Sequence, residues 1–157
     1  LFEVRGAHRA MKTPKLLLDR LPADFHDRLC NWGEVMRDRH RRAVSPTYQV
    51  CRDLARRAGQ TRNLENEVVQ EWDEADAGLI ERAWSLAASY RMHPQAPLLL
   101  RAYYVMGQPP YLICRMQGIR AREFDDILVR CVAYFQQFVA QFENRLHNSA
   151  QSVMTTV

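Results

Sequence analysis

Apolar residues bracket a glycine in the stretch Tyr111–Leu112–Ile113–Cys114–Arg115–Met116–Gln117–Gly118–Ile119, and this spacing constrains the fold more than any other feature of the chain. Ile113 and Cys114 precede Gly118 by five and four residues, while Phe124 and Ile127 follow it by six and nine. Two crossed helices joined by a tight turn require that arrangement. Cys114 fills the place where a small residue lets helices approach, and Gly118 can take a positive φ at little steric cost. Upstream, Leu98–Leu99–Leu100–Arg101–Ala102–Tyr103–Tyr104, closed by Gly107, is expected to be the scaffold helix of the hairpin. A helix-turn-helix is therefore expected over residues 98–130, with the helix beginning near Ala121 presented to a DNA major groove. A plain core hairpin has the same spacing and stands as the alternative.

On the helix-turn-helix reading, the candidate DNA-binding residues are Arg115, Arg120, Arg122, Glu123, Asp126 and Arg130. The face is mixed in sign. Asp125 and Asp126 can accept hydrogen bonds from cytosine amino groups, yet they repel phosphates. Gln117, directly before the turn, is polar where a buried leucine is usual.

Help with phosphates is expected from elsewhere in the chain. Residues 1–70 carry 14 Lys and Arg against 9 Asp and Glu, a net of +5, whereas residues 71–157 carry 8 against 9, a net of −1. The positive half is thus not the half with the turn. Its candidates for phosphate or RNA contact are Arg37, Arg39, Arg41 and Arg42, with Arg52, Arg56 and Arg57. The equal alternative for the run 37–42 is a solvated helix end whose cations complement the C-terminal dipole.

Helical periodicity runs through the rest. Pro22 and Asp24 open a helix with Phe25, Leu29, Trp32 and Met36 on one face. Ser45–Pro46 reads as N-cap and first residue of another, with Tyr48, Cys51, Leu54 and Ala55 inward and Gly59 as its stop. Residues 60–72 read as a connection. The acids Glu71, Asp73, Glu74 and Asp76 read as capping and dipole partners for a helix striped by Leu79, Ile80, Ala83, Trp84 and Ala87. Pro94 and Pro97 break the chain before the scaffold helix. The final helix carries Leu128, Cys131, Val132, Phe135, Val139, Phe142 and Leu146, a stripe long enough to pack on the N-terminal helices or on a partner.

The expected fold is all-α: a compact helical domain over 22–147 with the helix-turn-helix in its C-terminal half and a long final helix. Residues 1–21 are expected to be a partly disordered N-terminal extension, with Met11 a natural start, and 148–157 a disordered tail. The four cysteines, Cys30, Cys51, Cys114 and Cys131, are widely spaced and fall on apolar faces, as free, mostly buried thiols in a reducing cytoplasm do. His26 and Cys30 lie i, i+4, half a zinc site without a second pair, so no metal is expected. No apolar run reaches membrane-spanning length. No Gly-rich phosphate loop, nucleophile elbow or HExxH occurs, so no catalytic residue, cofactor or enzymatic activity is expected.

Trp32–Gly33, Ser45–Pro46, the run Asp76–Ala77–Gly78–Leu79–Ile80–Glu81–Arg82–Ala83–Trp84, Tyr103–Tyr104 with Gly107, and Ile113 to Ile119 together resemble the phage antitermination protein Q family and its prophage relatives. The similarity spans residues 25–140. Members typically carry Arg-Trp-Gly, Ser-Pro, an Asp-rich entry to a middle helix, and Tyr-Tyr-x-x-Gly before an Ile-Ala-x-x-Leu-Gly helix-turn-helix; here Asn31, Cys114 and Gln117 replace the arginine, alanine and leucine. The resemblance implies a late-gene regulator in the cytoplasm of a bacterial host. Such a protein recognises double-stranded DNA near a late promoter, joins RNA polymerase, with or without sigma factor, and suppresses pausing and termination, blocking hairpin action of nascent RNA. The helix-turn-helix is also similar to the promoter-reading region of sigma factors. Two other readings are a dimeric repressor or activator and a helical polymerase-binding interaction protein.

Overall fold

Helix α2, Ala23–Val44, forms where the sequence places Pro22 and Asp24 ahead of an apolar stripe. The Pro22 carbonyl accepts the first helical bond, from the His26 amide at 2.8 Å, and Asp24 in the first turn complements the dipole. The computed structural model describes residues 13–44, 72–89 and 95–155, with Thr47, Val50, Cys51, Leu54, Arg57 and Ala58 between them; of residues 40–44 it describes the backbone alone. Ser45–Pro46, Tyr48, Ala55, Gly59 and the connection up to residue 71 lie outside the described residues. Phe25, Leu29, Trp32 and Val35 are buried along α2, with Met36 half-buried at their end.

Helix α3, Glu74–Ser89, lies against α2. Its N-cap is Asp73, whose Oδ1 accepts from the Asp76 amide at 3.0 Å. Asn31 of α2 fixes that cap, donating to the Asp73 carbonyl at 2.9 Å and accepting from its amide at 3.1 Å. Ala77, Ile80, Ala83 and Ala87 are fully buried on α3, and the three alanines allow close approach of the helices.

Six helices and no strands are found among the described residues. Besides α2 and α3 they are α1 (Lys15–Leu18), α4 (Gln95–Leu100), α5 (Pro110–Gln117) and α6 (Phe124–Met154). Pro97, expected to break the chain, instead lies inside the first turn of α4, where an amide hydrogen has no intrahelical partner to lose. Pro94 lies outside the described residues.

Beyond Leu100 the coil widens into a π-helical turn, Arg101–Val105, closed by the Met106 amide on the Arg101 carbonyl at 2.9 Å. Ala102, Tyr103, Tyr104 and Val105 are all buried, and Arg101 alone of the turn is half-buried. Gly107 (φ 61) ends it in the left-handed region, with the Gln108 amide reaching back to the Ala102 carbonyl at 3.0 Å. The expected scaffold run is therefore a separate core element, and the first helix of the hairpin is α5.

A short 3-10 turn, Ala121–Glu123, leads into α6, which is 31 residues long, about 46 Å at 1.5 Å per residue. Phe124, Leu128, Val132, Phe135 and Val139 are buried along it, and the core closes where Phe135 meets Phe25 at 5.9 Å and Trp32 at 6.5 Å between ring centroids.

Leu17 and Leu21 are buried, which packs the segment from Thr13 on the core, and at the other end α6 continues to Met154. Two expectations about burial are corrected. Cys51 and Leu54 are exposed rather than inward. Of the four free cysteines, Cys30 and Cys51 are exposed, Cys114 is buried and Cys131 half-buried.

His26 is the buried polar residue of the described core. Its Nδ1 lies 2.9 Å from the Tyr104 hydroxyl and its Nε2 lies 3.5 Å from the Cys30 sulfur. Burial raises Tyr104, so its hydroxyl stays protonated, and the tautomer of the ring sets whether that hydroxyl donates to Nδ1 or accepts from it. Although Cys30 is exposed as a residue, its sulfur is partly desolvated against His26, which together with Asp27 and Glu34 pushes the thiol up to about 11, so it is a thiol at neutral pH and not the thiolate that binds metal. Desolvation lowers His26 below 6.5 although Asp27 opposes it. The neutral ring is thus favoured in the fold: its contribution is complete above pH 6.5 and is lost as pH falls from there toward the lowered folded value. Thermal melts between about pH 7.5 and about pH 5.5 should show stability falling with pH, and His26→Gln should flatten that dependence. Parallel pH profiles for variant and wild type would refute the assignment.

Candidate nucleic-acid interface

The α5–α6 corner is built by two glycine-centred stops and a core anchor. Pro109 is extended and Pro110 occupies the first helical position, so α5 starts abruptly after Gly107. Its other end closes at Gly118, φ 67 and ψ 33, with the Ile119 amide on the Cys114 carbonyl at 3.0 Å. This is a Schellman closure, and Ile119, the residue after the glycine, is buried as that motif favours. Ile113 and Cys114 anchor α5 below, and Phe124 and Leu128 anchor α6. Each fully buried large side chain contributes about 1.5–3 kcal/mol, against about 0–1 kcal/mol for an exposed ion pair, so packing fixes the corner.

Gln117 is half-buried at the corner, and its Oε1 is buried without a hydrogen-bond partner among the described residues. An unpartnered acceptor costs about 1–3 kcal/mol. Gln117→Leu is therefore expected to stabilise the protein by about 1 kcal/mol in denaturant unfolding, and a loss of stability would show that the amide is needed there.

Arg115, Arg120, Arg122, Glu123, Asp125, Asp126 and Arg130 are all exposed. The guanidinium groups of Arg115, Arg120 and Arg122 make no ion pair or hydrogen bond to any described residue, and the Arg120 backbone carbonyl accepts from the Glu123 amide at 2.9 Å. Arg130 donates to the Asp126 carbonyl of its own helix at 3.4 Å. Asp126 is engaged by Arg20, a residue that nothing in the sequence pattern singles out, at 2.6 Å. The available signal was the i, i+4 pair Leu17 and Leu21, which fixes the segment carrying Arg20 to the core.

Of the basic candidates, Arg37, Arg39 and Arg57 have described side chains. Arg37 is half-buried, ion-paired with Glu34, and its Nη1 lies 3.2 Å from where a Cβ on Gly107 would stand. Arg39 and Arg57 are exposed. The side chains of Arg41 and Arg42, and the whole of Arg52 and Arg56, lie outside the described residues.

The conspicuous motif residues meet in partly buried contacts between the helices. Trp32 Nε1 donates to Glu81 Oε2 at 2.7 Å, and Arg101 Nη1 donates to Glu81 Oε1 at 3.0 Å. The Arg101 guanidinium stacks over Trp84, 4.7 Å from its centroid, and Trp84 Nε1 donates to the Pro97 carbonyl at 3.0 Å. Arg28 bridges Asp76 at 2.8 Å and Glu143 at 2.5 Å, tying α2, α3 and α6 together. None of these residues lies on the α5–α6 corner.

Among the described residues no three His, Cys, Asp or Glu side chains converge on a metal position, and no helix is long and apolar enough to cross a membrane. No family model, curated protein or solved structure matches the chain.

Proposed function

We propose that the chain is a phage late-gene antiterminator that binds DNA near a late promoter through a sigma-like helix-turn-helix, formed by α5, the Gly118 turn and the start of α6, and then stays with RNA polymerase. The observation that carries the DNA half is the placement of Arg120 and Arg122: exposed, their guanidinium groups without partners among the described residues, on a turn held rigidly to the core. Guanidinium groups so placed suit phosphate oxygens and the guanine edge. The antitermination half rests on the family resemblance. Catalysis belongs to the polymerase, and this chain supplies binding energy.

The polymerase contact is assigned to the far end of α6. Leu128 to Val139 close the protein's own core, whereas Leu146, Val153 and Met154 are exposed. A groove of about 310 Å³ lined by Leu86, Phe138, Gln141, Phe142 and Arg145 lies at the base of that exposed length. Phe142 packs against the core, so Leu146 and Val153 are the residues to test.

The test is transcription by purified polymerase from the adjacent late promoter through a distant terminator. Added protein should raise readthrough. Leu146→Ser with Val153→Ser should leave DNA binding and the melting temperature unchanged while reducing readthrough at least several-fold. Full readthrough by the stable double variant removes this surface from the polymerase contact. A wild-type protein that alters initiation and never readthrough overturns antitermination in favour of a promoter-bound repressor or activator.

A further inference from the structure

We infer that Arg20 is a phosphate contact of the DNA-facing surface, held ready by Asp126 until a phosphate oxygen replaces that carboxylate. The inference rests on the DNA reading above and adds a residue from outside the helix-turn-helix. Leu17 and Leu21, 2% and 6% exposed, clamp the segment on both sides of Arg20. The Arg20 side chain is left 47% exposed, its Nη2 2.6 Å from Oδ1 of Asp126, which is 61% exposed. Asp126 lies in the first turn of α6, the part of a presented helix that meets base edges. Arg20 therefore stands beside the presented helix, as an arm preceding a helical DNA reader does, although it is remote in sequence.

The chemistry of exchange is balanced. A carboxylate and a phosphodiester offer a guanidinium the same pair of anionic acceptor oxygens. An ion pair this exposed is weakly held, so Arg20 can change partners at little cost. Asp126 then becomes an unpaired acid beside DNA, which is unfavourable at a random sequence. It is compensated where a cytosine amino group donates to Asp126 in the major groove. The pair thus opposes non-specific binding and favours sites that satisfy Asp126, discrimination by an introduced repulsion as well as by attraction.

The experiment is equilibrium binding to a random-sequence duplex over a salt series, for wild type, Arg20→Gln, Arg20→Lys, Asp126→Asn, and the double variant Arg20→Gln with Asp126→Asn. A cation that neutralises one phosphate contributes about 0.9 to the slope of log affinity on log salt. Arg20→Gln should lower the slope by about one, while Arg20→Lys keeps it. Asp126→Asn should tighten random-sequence binding about tenfold, by removing one repulsive charge and one competitor for Arg20. Arg20→Gln should then cost more affinity in the Asp126→Asn background than in wild type. A slope unchanged by Arg20→Gln, with Arg120→Gln and Arg122→Gln each reducing it, overturns the inference and leaves DNA binding standing. Wild-type protein that binds no duplex at all overturns the DNA reading itself, and this inference with it.

Discussion

Gly33→Ala is expected to lower stability by about 3 kcal/mol, roughly 10 °C in melting temperature, the largest loss from alanine at any of the described glycines. A Cβ at position 33 would stand 1.9 Å from the Tyr104 carbonyl oxygen and 2.8 Å from its carbon. Both obstacles are backbone, so no rotamer change relieves the clash. The obstructing carbonyl belongs to the π-helical turn, whose four buried residues cannot shift without moving Tyr103 from Phe124 and Tyr104 from His26. Gly78→Ala is the control. That glycine lies on α3 with nothing within 4 Å of an added methyl, so alanine there should gain about 0.5–1 kcal/mol from helix propensity. Chemical denaturation of the two variants should separate them in sign. A Gly33→Ala protein as stable as wild type would mean that α2 and the π-turn can part freely.

That contact also shows why the conspicuous residues of this sequence are conspicuous. Trp32, Gly33, Asp76, Glu81, Trp84, Tyr103, Tyr104 and Gly107 invite a functional reading because of their unusual types. They meet instead in the packing between α2, α3 and the π-turn. Trp32 needs an acceptor for its indole N–H, Glu81 supplies it, and Arg101 balances the charge between Glu81 and the Trp84 ring. A resemblance carried by these positions is a resemblance of architecture first, and function enters only through what that architecture holds outward.

The helical stripes were legible because burial on a helix repeats at its own period. Phe25, Leu29 and Trp32, like Leu128, Val132, Phe135 and Val139, announce both the element and its inner face. Gly118 was legible because a tight turn between apolar positions needs a residue that tolerates positive φ. The π-turn was not, because Arg101–Val105 has ordinary helix composition and widens only where its four buried residues pack into the core. Nor was the length of α6, whose last turns have little apolar periodicity and extend a helix already nucleated by the core. Arg20 was hidden for a third reason: its partner lies 106 residues away, and nothing local to either residue records the pairing.

The same geometry divides the described arginines by whether the side chain already has a partner in the fold. Replacing Arg115, Arg120 and Arg122 together by glutamine is expected to weaken duplex binding at least about a hundredfold at moderate salt. It should also flatten the salt dependence by about three, since each is exposed and its guanidinium group has no partner among the described residues to satisfy. Stability should be nearly unchanged. Arg37→Gln should do the reverse. It breaks a half-buried ion pair with Glu34 beside Gly107, so it should cost about 1 kcal/mol of stability while the salt slope stays where it was. Arg39 and Arg57 are exposed and belong with the first group if the α2 side of the molecule also follows the backbone, which a further fall in slope on their replacement would report. A triple variant of the corner that keeps its affinity and slope would remove α5 and α6 from the DNA surface, leaving the corner as packing alone. A flattened slope in Arg37→Gln with unchanged stability would instead move that surface toward the α2 end. The two measurements, affinity against salt and unfolding against denaturant, therefore locate the interface without knowledge of its sequence preference.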